Sequence, residues 1–234
     1  MSEEAVTLVE KNCHWLLNHM KREARDVGPV KGLVMGSVQS GKTANMIGLV
    51  SMAADYDWNF FIIMSGSIDN LRIQTRVRFC TDLMQSQGVN WRVLDYTSNP
   101  DYLTDIKTQE KYTECDLKLN TLGNNTWGYR YVTVCLKNST RLERLINWLH
   151  SDPVRAAKLR ILIIDDEADQ AGINTAKMSE YLTEEDVVER TAINQYLVNL
   201  ANGKNADGTE TNAPFQAMNY ISFTATPYAN VLNE

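Results

Sequence analysis

The sequence predicts an α/β fold in which a mostly parallel sheet carries helices on both faces. Three observations predict it. The apolar runs at 59–64 and 158–165 are nearly uniform rather than alternating, as a sheet buried on both faces requires. Segments of helical spacing separate such runs, and strands that alternate with helices imply parallel pairing through right-handed crossovers. A glycine-bearing turn, Gly36 to Thr43, then joins the first strand to the next helix. That is the junction at which open parallel sheets place their ligands.

The elements follow in order. Residues 4–25 place Val6, Val9, Cys13, Leu16, Leu17 and Met20 at helical spacing, which predicts an amphipathic helix ended by Gly28-Pro29. Residues 31–35 form a short strand, 42–54 a helix and 59–64 a second strand. Residues 69–87 read as a long helix with Asp69 as its N-cap. From 88 to 128 periodicity is weak, so an insertion with little regular structure is expected across about 88–130. Residues 131–136 are a strand, 139–150 a helix, 158–165 the most apolar strand and 192–201 a helix. A polar loop at 202–212 precedes the last strand, 217–223.

Composition excludes several classes. A chain of 234 residues buries the core of one large domain, and 44% hydrophobic with 22% charged residues is ordinary for a globular protein. No apolar run approaches the roughly 20 residues that span a bilayer. The acidic start, Met1-Ser2-Glu3-Glu4, lacks a secretory layout, so a cytoplasmic location and no membrane partner are expected. Cys13, Cys80, Cys115 and Cys135 are scattered, with no C-x-x-C pair, and suggest neither a disulfide framework nor a zinc site. A net charge of −6 argues against coating nucleic acid by bulk charge, but leaves room for a local grip by a few arginines.

Three strings carry the chemistry. Gly36-Ser37-Val38-Gln39-Ser40-Gly41-Lys42-Thr43 fits G-x-x-x-x-G-K-[ST] between a strand and a helix. Glycines let backbone amides, with Gln39 and Ser40 among them, curl around phosphates. Lys42 would reach the β- and γ-phosphates of ATP, and the Thr43 hydroxyl would bind Mg²⁺. The second string, Ile163-Ile164-Asp165-Asp166-Glu167-Ala168-Asp169, sets carboxylates at a strand's carboxyl end. Asp166 would hold Mg²⁺ and Glu167 would orient the attacking water, although Asp165 is an alternative to Asp166. The third, Ser222-Phe223-Thr224-Ala225-Thr226-Pro227, puts the hydroxyls of Thr224 and Thr226 after a strand. By itself it is a common proline-ended turn.

Together the strings resemble motifs I, II and III of the first, RecA-like P-loop NTPase lobe of superfamily 2 helicases and translocases. Leu71-Arg72-Ile73-Gln74-Thr75-Arg76 sits where that superfamily carries its motif Ia. A narrower resemblance is to the Z-one domain family, which carries an endonuclease label and is associated with restriction-like and phage-defence gene neighbourhoods. It rests on 38–46, 71–76, Asp165 to Ala171 with Ile173-Asn174-Thr175, Thr191 to Gln195, and Thr224 to Asn230. It runs from about residue 30 onward and is weakest over 88–130.

The resemblance implies an ATP hydrolase with Lys42, Asp166 and Glu167 at its centre, and Thr224 and Thr226 coupling nucleotide state to a second lobe. It implies contact between the DNA backbone and Arg72, Gln74 and Arg76. The division expected is an N-terminal helical extension, 1–29, and a RecA-like lobe, 30–234. A second motor lobe, which would bring the arginine finger, is expected outside these residues, along with defence-system partner proteins. The alternative is a nucleotide-gated interaction switch that does not translocate.

Arg72, Arg76 and Arg78 also read as a solvated, ion-paired face, and Lys137, Asn138 and Arg141 as lesser phosphate contacts. Asp101 with Asp116-Leu117-Lys118 nominally matches a nuclease layout, but it lies in a segment poor in strand formers and reads as solvated loop. His14, His19 and His150 lack metal-ligand spacing.

Overall fold

A computed structural model describes residues 3–20, 30–35, 41–85, 89–96, 101–119, 128–166 and 184–224; within 184–190 only the Val188 side chain is described. The strands are β1 (Val30–Met35), β2 (Phe60–Ser65), β3 (Asn90–Tyr96), β4 (Leu103–Asp105), β5 (Lys111–Tyr112), β6 (Tyr129–Leu136), β7 (Arg160–Asp166) and β8 (Ala217–Thr224). They form one sheet in the order β1-β8-β7-β2-β6-β3-β4-β5. The first six in that order pair in parallel, and β4 and β5 add an antiparallel edge. This is the α/β layout that the uniform apolar runs predict, and it is consistent with the RecA-like fold that the resemblance implies.

Alternation along each central strand feeds two cores. Phe60, Ile62 and Met64 of β2 join Ile161 and Ile163 of β7 on one face. Phe61 and Ile63 join Leu162 and Ile164 on the other. Burial on both faces is why these strands read as continuous hydrophobic runs. The first face is covered by α4 (Ser139–Leu149), α5 (Pro153–Ala156) and α6 (Glu184–Ala201), with Leu142, Leu145, Ala156 and Leu197 in the core. The second is covered by α1 (Glu3–His19), α2 (Lys42–Asp55) and α3 (Asp69–Leu83), with Cys13, Leu49 and Phe79 in the core.

The helix starts follow local chemistry. Asn138 caps α4 by accepting a hydrogen bond from the Arg141 backbone N–H at 3.2 Å, and Asp152 caps α5 ahead of Pro153. Glycine at 48 lets α1 lie against α2, since a Cβ there would fall 2.8 Å from Val9 Cγ1.

Three expectations are corrected. Asp69 is not the N-cap of α3: Ile68 holds that position without a side-chain bond, and Asp69 opens the helix. Its carboxylate instead accepts from Arg72 Nε at 2.8 Å and Arg141 Nη1 at 3.2 Å, and these bonds, Arg72 first, lower its pKa. Helix α6 begins at Glu184, ahead of the expected Ala192.

The largest correction falls in 88–130. Strand β3 is seven residues long and pairs in parallel with β6, burying Trp91, Val93 and Leu94. The hairpin of β4 and β5 follows, and the buried Asp105 carboxylate turns it by accepting from the backbone N–H groups of Lys107 and Thr108 at 2.8 Å. Polar residues at Arg92 and Asp95 hide this strand in the sequence. In the fold Asp95 is ion-paired to α3 and Arg92 lies over the Tyr129 ring at 4.4 Å.

A 3-10 turn, Glu114–Asp116, closes the hairpin region and buries the Glu114 carboxyl group completely. Burial, with the neighbouring Asp152 charge adding to it, pushes the Glu114 pKa up to about 8. The folded chain therefore holds this proton over a range in which the unfolded chain has lost it. Stability from this group is full below about 4.5 and declines as pH rises to about 8. Glu114→Gln is expected to remove that decline. Relative to wild type, its unfolding free energy should rise by on the order of 1–3 kcal/mol between pH 5 and pH 8 in denaturant titrations.

Candidate functional site at the carboxyl edge of the sheet

Strand β8 lies between β1 and β7, which brings the ends of three strands together. Met35 of β1 pairs with Thr224, and Phe223 pairs with Asp166 of β7. The end of β1, the acids that end β7 and Thr224 therefore share one edge. Helix α2 starts at that edge. Gly41, its N-cap, adopts a left-handed conformation with φ 76°, which glycine allows without strain. Its carbonyl accepts from the Asn45 backbone N–H at 3.0 Å and from Asn45 Nδ2 at 3.2 Å. Lys42 and Thr43 form the first turn, where free backbone N–H groups and the helix dipole favour an anion.

Lys42, Thr43 and Asp166 line one cavity of about 230 Å³, together with Ser65, Gln74, Thr75 and Arg78. A cation, a hydroxyl and a carboxylate thus face the same space at a helix N-terminus. That donor set suits a phosphate chain with a divalent cation. Lys42, Arg78 and the amides are complementary to phosphate oxygens, and Thr43 and Asp166 offer hard oxygen ligands.

The adjacent acids of β7 have different fates. Asp165 is buried, and its carboxylate meets Lys137 Nζ at 2.5 Å while accepting a hydrogen bond from the Tyr220 hydroxyl. Lys137 also donates to the Asp166 carbonyl at 3.1 Å. Tyr220 keeps its proton, because burial and then the Asp165 charge raise its pKa well above the ordinary phenol value. Asp165 is thus committed to the interior, while Asp166 is the half-buried acid that reaches the cavity.

Lys137 corrects the reading of 137–141 as lesser phosphate contacts. It is fully buried, Asn138 caps α4, and Arg141 pairs with Asp69. A lysine directly after the mostly apolar end of β6, residues 132–136, is the visible sequence signal for this arrangement, and nothing in the spacing marks Tyr220 as its companion.

Of the other site residues expected from the sequence, Gly36, Gln39, Ser40, Glu167 and Thr226 lie outside the described residues. Gly41, Lys42, Thr43, Asp166 and Thr224 come together at the edge, with Thr224 buried. On α3, Arg72 is buried and bonds Asp95 Oδ1 at 2.7 Å in addition to Asp69, and Arg76 is paired with the same Asp95. Gln74 and Arg78 face the cavity instead. Asp101 precedes β4, and the Asp116 carboxylate accepts from the Thr113 N–H at 2.8 Å and from its hydroxyl. Among the described residues no group of three or more His, Cys, Asp or Glu is placed to hold a metal, and no helix is long and apolar enough to cross a membrane.

No family model matches the chain, and no curated protein matches it either. Among solved structures it is similar in fold to a nuclease-deletion mutant of the Type ISP restriction-modification enzyme LlaGI, in complex with a DNA substrate mimic. The TM-score is 0.50 at 13% identity, and the match covers 97% of this chain and 17% of that one. The likeness is one of fold, to an enzyme much longer than the 234 residues here.

The Lys137–Asp165 pair has a measurable consequence. Lys137→Met is expected to destabilise the fold by about 3–5 kcal/mol, because it strands a buried carboxylate. The double variant Lys137→Met with Asp165→Leu should recover part of that loss in thermal or denaturant unfolding, the remainder reflecting the Tyr220 hydroxyl left without its acceptor.

Proposed function

We propose that this chain is the ATP-binding first motor lobe of a helicase- or translocase-like ATPase that acts on DNA in a prokaryotic restriction or phage-defence system of the Z-one kind. The observation that carries this reading is the cavity shared by Lys42, Thr43 and Asp166 at the carboxyl ends of β1 and β7. The fold likeness to a restriction-modification enzyme supports it.

In this reading the α2 N-terminus and Lys42 bind the β- and γ-phosphates. Thr43 and Asp166 would hold Mg²⁺, which neutralises charge on the phosphates during transfer. Glu167, next in sequence to Asp166, orients the attacking water. Buried Asp165, Lys137 and Tyr220 hold the β7 terminus so that the Asp166 side chain faces the cavity. Thr224 and Thr226, at and beyond the end of β8, transmit nucleotide state to a second lobe, which contributes an arginine finger. Such a finger supplies roughly 10³–10⁵ in rate, so these 234 residues by themselves should turn over slowly.

DNA contact through Arg72, Gln74 and Arg76 belongs to the same proposal. It requires the two arginines to exchange their Asp95 partner for phosphate. That commitment, with the net charge of −6, is what favours the second reading, a nucleotide-gated switch. ATPase activity stimulated by DNA in the intact protein supports the motor, and a rate indifferent to DNA supports the switch.

The central test is nucleotide binding by two variants of the intact protein. Lys42→Ala is expected to weaken ATP binding at least tenfold. Glu167→Gln should bind ATP as wild type does and lose roughly 10²-fold or more in turnover. Wild-type affinity in Lys42→Ala would remove the basis for the proposal.

A further inference from the structure

A second cavity, of about 390 Å³, adjoins the first and shares Lys42 with it. It lies between α1 and the edge strand β1, and its volume falls within the roughly 300–1,000 Å³ typical of small-molecule sites. Its lining differs in kind from that of the phosphate-sized cavity. Trp15, Leu33 and Met35 present apolar surface there, and Asn12 and Asn45 supply side-chain amides.

Three of these side chains are exposed against the usual hydrophobic cost. Trp15 is 61%, Met35 64% and Leu33 41% exposed, and all three converge on this one cavity. The Trp15 indole is held in place, since the His19 ring lies against it at 4.1 Å and His19 Nδ1 contacts the Trp15 carbonyl at 2.7 Å. The two amides are also ordered, because Asn12 Nδ2 donates to Asn45 Oδ1 at 3.4 Å and Asn45 is tied to Gly41. A flat aromatic face, an apolar floor and paired amides match the surface of one ligand class: a planar heteroaromatic ring with hydrogen-bonding edges.

We infer that the cavity between α1 and β1 receives the nucleobase of the nucleotide whose phosphates occupy the Lys42 cavity, with Trp15 as its stacking platform and Asn12 as an edge contact. The inference rests on the proposed nucleotide site. It assigns α1 a part in the site, reached because glycine at 48 lets α1 lie close to α2.

Affinities for ATP and for inorganic tripolyphosphate, in the wild-type chain and in Trp15→Ala, Trp15→Phe and Lys42→Ala, test it. Stacking of the size seen between bases and aromatic side chains predicts that Trp15→Ala weakens ATP about tenfold and leaves tripolyphosphate unchanged. Trp15→Phe should retain most of the ATP affinity, and ATP should quench the fluorescence of Trp15 while tripolyphosphate does not. Trp15 is mostly exposed, so unfolding curves should match wild type and separate lost binding from lost folding. ATP binding that is unchanged in Trp15→Ala overturns the nucleobase cavity and leaves the phosphate site standing. Failure of wild type to bind both ligands, or their undiminished binding by Lys42→Ala, overturns the nucleotide reading and this inference with it.

Discussion

The parallel ladder of β8, bonded to β1 on one side and β7 on the other, is the constraint on which the candidate site depends. It sets the distance and relative height of two strand ends that come from opposite halves of the chain. A slip of one residue would turn every side chain of β8 to the other face. Ile221 and Phe223 would leave the α1–α2–α3 core, and Met218 would leave the other one. Because both faces are buried, hydrophobic packing holds the register tightly, and the position of Asp166 beside the α2 N-terminus follows from it.

The same packing separates two chemically identical neighbours. Successive residues of a strand point to opposite faces. One acid of the Asp165-Asp166 pair is therefore carried into the interior, and the other is left at the cavity. A buried carboxylate needs partners, and Lys137, just beyond the end of β6, and Tyr220 of β8 provide them. Lys137 ties the end of β7 through both the Asp165 carboxylate and the Asp166 carbonyl, and removing one partner of such a buried pair is strongly destabilising.

Helix α3 shows how polar patterning misleads a linear reading. Its arginines look like a solvated or phosphate-binding row, yet Arg72 and Arg76 converge on one carboxylate, Asp95, in a strand that polar residues had concealed. The two misreadings share a cause. Asp95 makes β3 look like a loop, and the arginines look free, until the parallel pairing of β3 with β6 brings them together. In α1, nothing in the sequence marks Trp15 as a functional residue, because an exposed tryptophan on an amphipathic helix is ordinary until its neighbours in space are known.

What the sequence by itself determined is local: the uniformly apolar strands, the helices of regular period, the helix start at Lys42 and Thr43, and the acids at the end of β7. Each is written in residues within one element, where period and propensity act. Only the tertiary structure decided which acid faces the cavity, where Lys137 and the α3 arginines spend their charge, and which surface Trp15 shares with Lys42. Those outcomes depend on pairs far apart in the chain, such as Tyr220 and Asp165 at a separation of 55 residues. Such pairs meet only once strand order and register are established by burial.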